Sequence, residues 1–134
     1  MSLAIGIDVG VNTGFAISKD KKLILVTSYG ILDAMDMCLE YQDQDPVLYI
    51  EDARKLKWGG YNKGNTARLQ GAGSVKRECA IWEDFAKKHG FKHKMIDPRS
   101  NSKKLDAVKF NKLTGWTGRT NNHGRDAAML VWGR

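Results

Sequence analysis

The sequence predicts an α/β fold, a mixed five-stranded sheet flanked by helices, from three features of the chain. Short apolar runs bounded by glycine and polar residues occur at five places and are typical of strands. The first three runs are separated by short polar turns, as in an antiparallel meander. The later runs alternate with segments of helical spacing, which favours parallel strands joined by helices. The predicted order is therefore β-β-β-α-β-α-β-α-α.

Five segments are predicted as strands. The first carries Asp8 near its end and is followed by a glycine- and asparagine-rich turn at 10–14. A polar connection at 19–22 separates the second strand from the third, and Pro98 closes the fifth. The predicted strands are 3–9, 15–18, 23–31, 47–52 and 92–97.

Four segments have helical spacing. The longest, 66–89, is stopped by Gly90 and contains Gly71 and Gly73. Glycine is costly inside a helix, so these two positions indicate close packing against another surface. Segment 55–65, rich in glycine, lysine and aromatic residues, is predicted as an exposed loop. The predicted helices are 32–42, 66–89, 102–113 and 122–132.

Length and composition indicate a single domain over residues 1–134 that does not enter a membrane. The chain is 42% hydrophobic and 28% charged, as expected of a protein with a buried core. No apolar run approaches the roughly 18 residues that cross a bilayer, and no basic stretch precedes an apolar one at the start. Cys38 and Cys79 lack a CxxC neighbour, so reduced thiols and a cytoplasmic location are expected.

Positive charge is concentrated in the later part of the chain. Residues 1–50 hold 3 basic and 7 acidic side chains, a net charge of −4, whereas residues 51–134 hold 19 and 8, a net charge of +11. Such an excess is typical of proteins that bind a polyanion, most often nucleic acid. The same composition also occurs on surfaces whose charge serves solubility alone.

Four residues form the candidate catalytic and metal site: Asp8, Glu51, His123 and Asp126. The two strand carboxylates emerge at one edge if the first and fourth strands are neighbours. His123 and Asp126 are three positions apart and share one helix face. Carboxylates brought together repel one another unless cations neutralise them, and Mg²⁺ or Mn²⁺ fits oxygen ligands. Two such ions about 3.5–4 Å apart can support hydrolysis of a phosphodiester.

Each of these residues also has a purely structural interpretation. Asp8 could form the following turn, and Glu51 could pair with a lysine. His123 could cap the last helix, and Asp126 could pair with a nearby basic side chain. Asp52 adjoins Glu51, but successive strand residues face opposite sides, so one of the two carboxylates at most joins the site.

The segments that carry the strand carboxylates resemble RuvC-type Holliday-junction resolvases of the ribonuclease H-like superfamily. The resemblance is strongest to the short RuvC-like endonucleases associated with bacteriophages. AIGIDVGVNTGFAIS at 4–18 resembles the opening strand-turn-strand of the family, whose aspartate falls on Asp8. YIEDARK at 49–55 resembles the segment that carries the family's glutamate, which falls on Glu51.

The later segments extend the resemblance over nearly the whole chain. NTARLQGAGSVKRECAIW at 65–82 is similar to the helix that follows the glutamate. LTGWTGRTNNHGRDAAMLVWG at 113–133 is similar to the C-terminal acidic helix. Members carry an acidic residue or histidine three positions before the final aspartate, here His123 and Asp126.

The resemblance implies a ribonuclease H-like fold, two Mg²⁺ or Mn²⁺ ions per site and a homodimer whose contact helix is 66–89. Two departures concern DNA selection. The family usually has an aromatic residue three positions after its glutamate, where this chain has Arg54. The chain is also shorter between Lys104 and His123, where the bacterial enzymes carry a lysine-rich stretch.

Candidate DNA contacts follow from the charge excess of residues 54–125, which hold 18 basic and 5 acidic side chains. Basic groups around an acidic edge hold phosphates near it, and exposed aromatic groups stack on unpaired bases. The predicted DNA-binding residues are Arg54, Lys55, Lys57, Trp58, Tyr61, Lys63, Arg68, Lys76, Arg77, Lys103, Lys104 and Arg119.

The predicted function is a Mg²⁺- or Mn²⁺-dependent, structure-selective DNA endonuclease that resolves Holliday or other branched junctions as a homodimer. Two alternatives remain. One is a ribonuclease H-like nuclease that acts on RNA–DNA hybrids or flaps. The other is a branched-DNA-binding module without catalytic activity.

Overall fold

The computed structural model describes residues 2–55, 66–100 and 104–134, with side chains described outside 66–72. Nine helices and strands of regular α or β structure are described within these ranges. The strands are β1 (Leu3–Asp8), β2 (Asn12–Lys19), β3 (Lys22–Gly30), β4 (Val47–Glu51) and β5 (Lys92–Ile96). The helices are α1 (Ile31–Glu40), α2 (Thr66–Lys88), α3 (Ala107–Thr114) and α4 (Asn122–Val131).

The strands form one mixed sheet in the order β3-β2-β1-β4-β5. Strands β1, β2 and β3 pair antiparallel, whereas β4 runs parallel to both β1 and β5. The predicted fold class and the predicted contact between the first and fourth strands are therefore confirmed.

Two apolar layers cover the two faces of the sheet. Because side chains alternate along a strand, Ile5 and Ile7 pack toward α1 and α2, where Trp82 is fully buried. Ala4 and Ala16 point to the other face, where they pack with Ala127 and other residues of α4. Small residues on this second face allow α4 to lie close to the strands.

The contact between α4 and the sheet depends on two glycines. A Cβ atom at Gly6 would collide with the carbonyl oxygen of Ala127. A Cβ atom at Gly14 would collide with the carbonyl oxygen of His123 and lie 2.8 Å from Cβ of Asp8. Any larger residue at either position would therefore force the α4 backbone away from β1 and β2.

The structure corrects the predicted boundary of the second strand. This strand begins at Asn12 rather than at residue 15, so part of the predicted turn 10–14 belongs to the sheet. Thr13 is fully buried and Gly14 pairs with Asp8, which extends the antiparallel ladder into the turn motif. The glycine of this motif therefore serves the close contact with α4, in addition to the turn that was predicted.

The third helix was also predicted to begin too early. It begins at Ala107 instead of 102, because Asp106 is in an extended conformation and its carboxylate accepts a hydrogen bond from the Lys109 backbone at 2.8 Å. Residues 101–103, which the prediction included, lie outside the described residues. The predicted loop 55–65 lies outside them as well, except for Lys55.

No helix in the described part of the chain is long and apolar enough to span a bilayer. Cys38 and Cys79 are both buried as free thiols.

Gly14→Ala and Gly6→Ala are expected to destabilise the protein by at least about 2 kcal/mol, since the added methyl meets backbone atoms of α4 that cannot move alone. Thermal or urea unfolding measures the change. Gly30→Ala at the end of β3 is the matched control, because among the described residues a Cβ atom there meets nothing within 4 Å and the backbone φ is −63°. The control should change the free energy of unfolding by less than about 1 kcal/mol. Equal effects at Gly14 and Gly30 would contradict this account of the α4 contact.

Candidate active site

The pairing of β1 with β4 brings Asp8 and Glu51 to the same edge and face of the sheet. The parallel register matches Ile7 with Ile50, so Asp8 and Glu51 follow at the next step. Tyr49 belongs to the apolar cluster of α4, and alternation places Glu51 on that face also. Both strand carboxylates therefore lie on the face that α4 covers.

The first turn of α4 brings two further groups to this edge. Asn121 caps the helix by accepting a hydrogen bond from the Gly124 backbone at 2.7 Å, and its amide donates to Ser28 of β3 at 2.9 Å. His123 follows the cap, and its Nδ1 lies 3.7 Å from Oδ2 of Asp8. The capping role considered for His123 belongs to Asn121 instead.

Arg125 holds the first turn of α4 to the segments that precede it, a role that was not predicted. It is buried, and its guanidinium donates to the carbonyl oxygen of Leu105 at 3.0 Å and to the hydroxyl of Thr120 at 2.8 Å. It also bonds to the side chain of Asn122. These bonds tie the residue before the α3 cap and the segment between α3 and α4 to the helix that carries Asp126. In the sequence, Arg125 lies close to the small residues that α4 buries, and this position could have indicated a buried role for it.

The carboxylates of the site influence one another. Burial raises the pKa of Asp8 to about 7 from an ordinary value of 3.8, and the charges of Glu51 and Asp126 add to the rise. Burial also raises the pKa of Asp126, against the opposing positive charges of Lys104 and Arg125. Lys104 likewise lowers the pKa of Asp8. The four predicted residues thus form one electrostatically coupled group, with Lys104 as its nearby cation.

The carboxylates of this site suit a divalent cation that is also bound by oxygens of a ligand. Among the residues that the structure describes, no three His, Cys, Asp or Glu side chains form a ready-made cluster for a metal ion. Mg²⁺ usually keeps several waters and binds through one or two carboxylates together with phosphate oxygens. Asp8 could act as a first ligand, since a cation would relieve the cost of ionising it. Glu51 and Asp126 could supply further oxygens.

A cleft beside Asp126 gives this edge access from solvent. It has a volume of about 310 Å³ and is lined by Lys104, Leu105, Asp106, Asn122 and Asp126. The lining thus holds one lysine and two aspartates. The charge of Lys104 could offset part of the repulsion between these carboxylates and an anionic ligand.

Asp52, the neighbour of Glu51, lies in a separate ion-pair network. Its carboxylate is buried and accepts hydrogen bonds from Nε and Nη2 of Arg54, each at 2.8 Å. Arg54 also reaches Glu83 of α2 at 2.9 Å. Burial favours the neutral form of Asp52, but the Arg54 hydrogen bonds hold its pKa below the ordinary value. The network anchors the chain just after Glu51 to α2.

The predicted DNA-binding residues are placed unevenly. Arg54 is engaged in the network described above, and Lys76 is half-buried on α2. Arg68 is in α2, but its side chain is not among those described. The exposed members are Lys55, Arg77, Lys104 and Arg119. The remaining predictions, on Lys57, Trp58, Tyr61, Lys63 and Lys103, lie outside the described residues.

Asp8→Asn is expected to stabilise the protein in EDTA at alkaline pH, because ionising the buried carboxylate opposes folding. The folded pKa of about 7 exceeds the ordinary 3.8, so the folded wild type holds more protons between these values. Its stability therefore falls as the pH rises through that range. The advantage of the variant should be near zero at about pH 4 and about 1–3 kcal/mol at pH 8.

Thermal unfolding over this pH range measures the effect, with Asp36→Asn as the control because Asp36 is exposed on α1. An advantage of Asp8→Asn that does not change with pH would contradict the raised pKa.

Comparisons with known proteins support the fold. No protein-family model matches the chain, and no curated protein matches its sequence. A solved structure of RuvC from Thermus thermophilus is similar to it, with a TM-score of 0.53 and 11% sequence identity. The similarity covers 96% of this chain and 90% of that chain. At this identity the likeness concerns architecture, and the chain therefore has a RuvC-like, ribonuclease H-like fold.

Proposed function

We propose that the protein is a divalent-metal-dependent DNA endonuclease that cuts branched DNA. The observation that carries the proposal is the coupling of Asp8, Glu51 and Asp126 at one sheet edge, with His123 3.7 Å from Asp8. Burial raises the pKa of Asp8, and two neighbouring carboxylates raise it further. Groups perturbed in this way cluster at functional sites. The similarity of the fold to RuvC supports the same chemistry.

Mg²⁺ or Mn²⁺, two ions in this proposal, would be held by Asp8, Glu51, Asp126 and His123. The ions would supply charge neutralisation at the scissile phosphate and a more acidic water. Asp8, at the centre of the group, would orient the ligand oxygens and become ionised as a cation replaces its proton. His123, whose half-exposed side chain places Nδ1 3.7 Å from Oδ2 of Asp8, would complete the site as a further ligand.

Basic residues near the acidic edge would hold the DNA backbone. Lys104 lies close enough to lower the pKa of both Asp8 and Asp126, so its charge acts directly at the site. Lys55 and Arg119 are exposed and available to phosphates. Because such contacts release counterions, affinity should fall steeply as salt concentration rises.

We further propose that the protein acts on four-way junctions as a two-fold homodimer. A junction with approximate two-fold symmetry requires two related cuts, which two symmetric active sites provide. Gly73, Arg77 and Ile81 recur every four residues and share one exposed face of α2. Among the described residues, a Cβ atom at Gly73 would meet nothing within 4 Å, which leaves room on this face for a second copy. Sedimentation of the protein as a monomer at micromolar concentration would contradict the dimer.

Incubation with a synthetic four-way junction and Mg²⁺ is expected to give paired cuts, which EDTA abolishes. Asp8→Asn and Asp126→Asn should each reduce the rate by at least about 100-fold while junction binding is retained, because their carboxylates would hold the cations that neutralise charge in the transition state. Product gels measure cleavage, and mobility shifts measure binding. Asp36→Asn on α1 is the control and should cut like the wild type.

Linear duplex and an RNA–DNA hybrid, tested beside the junction, separate the possible substrates. Preferential cutting of the hybrid would replace junction resolution with a ribonuclease H-like activity. Tight junction binding without cleavage in either Mg²⁺ or Mn²⁺ would contradict an enzyme and indicate a binding module. Full activity of Asp8→Asn would contradict the site.

A further inference from the structure

A second pocket, with aromatic and cationic walls, lies at the opposite end of α4 from the acidic group. It has a volume of about 300 Å³. The turn between β2 and β3 forms one side, and the ends of α3 and α4 form the other. Its lining residues are Lys21, Lys22, Leu23, Thr114, Gly115, Trp116 and Trp132.

Two tryptophans give this pocket its aromatic character. Trp132 follows the last residue of α4. It is 40% exposed, which is a large fraction for a tryptophan side chain. Trp116 is half-buried against the apolar cluster under α4. Its Nε1 is buried and, within the described residues, has no hydrogen-bond partner.

Two lysines give the pocket its charge. Lys21 and Lys22 are exposed, and both line the pocket. The tight turn that carries them has Asp20 and Lys21 at positive φ, so the backbone position of the first lysine is fixed. The carboxylate of Asp20 accepts a hydrogen bond from the backbone N–H of Ser2 at 3.1 Å, so it is directed toward the first residues of the chain.

We propose that this pocket binds an unpaired DNA base with its adjacent phosphate, as a second contact for the DNA strand that enters the acidic site. Aromatic side chains beside positive charges are the combination that single-stranded nucleic acid requires, since bases stack and phosphates pair with cations. A purely apolar partner would leave both lysines without a counter-charge. Binding of a base and phosphate in this pocket is independent of the nuclease function proposed above. The idea that the same strand also enters the acidic site rests on that function.

The distance between the two sites suits a shared strand. Asp8 pairs with Gly14 at one end of β1, and Leu3 pairs with Lys19 at the other end, beside the turn. Five strand steps correspond to about 17 Å. Along a duplex axis each strand advances ~3.4 Å per nucleotide, so a separation of this size corresponds to about five base pairs measured along that axis.

Binding of a fluorescein-labelled oligothymidine of 15 nucleotides, measured by anisotropy in EDTA, tests the pocket without any cleavage. Trp132→Ala is expected to weaken binding by at least about 5-fold through lost stacking, and Trp132→Phe by less. Lys21→Asn with Lys22→Gln should weaken binding and reduce the salt slope by about 1. Asparagine is chosen at position 21 because it tolerates positive φ.

Matched controls are Leu32→Ala, another highly exposed apolar residue, and Lys87→Gln with Lys88→Gln at the end of α2. Unchanged oligonucleotide affinity in both pocket variants would overturn the proposal. A change of sedimentation by Trp132→Ala without a change of affinity would also overturn it, since the pocket would then be a contact between copies. If Trp132→Ala fails to fold, the exposed lysine pair decides the outcome.

Junction cleavage measured on the same variants separates the two hypotheses. A wild type that binds oligothymidine through this pocket but cuts no junction would refute the nuclease function and leave the pocket standing. A wild type that cuts junctions while the pocket variants bind oligothymidine normally would refute the pocket alone.

Discussion

The close contact of α4 with β1 and β2 is the constraint on which the candidate site depends. Glu51 and Asp8 are brought together by strand pairing, but Asp126 and His123 come from the other end of the chain. They reach the same edge because Gly6 and Gly14 let the α4 backbone lie directly on the strands. Without these two glycines the helix would stand further from the sheet, and the acidic group would be divided.

The site is built at a cost to folding. Three carboxylates near one another, with one of them largely buried, oppose the folded state above neutral pH. The surrounding structure offsets this cost with fixed local contacts. Asn121 joins the start of α4 to β3, and Arg125 holds the preceding segment in place. A cation bound at the carboxylates would remove much of the repulsion, so that metal binding and stability are expected to be linked.

Much of the architecture could be predicted from the sequence because it follows from local patterns. Apolar runs and helical spacing predicted the order of elements. Strand alternation put Glu51 and Asp52 on opposite faces, and the choice of Glu51 followed partly from the resemblance to RuvC-type enzymes. The contacts of Arg125 and the ladder through Gly14 could not be predicted this way, since they depend on which segments meet in three dimensions. The late start of α3 follows from the Asp106 cap, a short signal that the broader periodicity obscured.

Binding of Mn²⁺ tests the central claim most directly, because the proposed chemistry requires the four separated residues to act as one cation site. Crystals soaked in Mn²⁺ with a phosphate-containing ligand should show anomalous scattering beside the carboxylates of Asp8 and Asp126. The signal should be lost in Asp8→Asn crystals. Manganese bound elsewhere on the surface, with none at these carboxylates, would contradict the account.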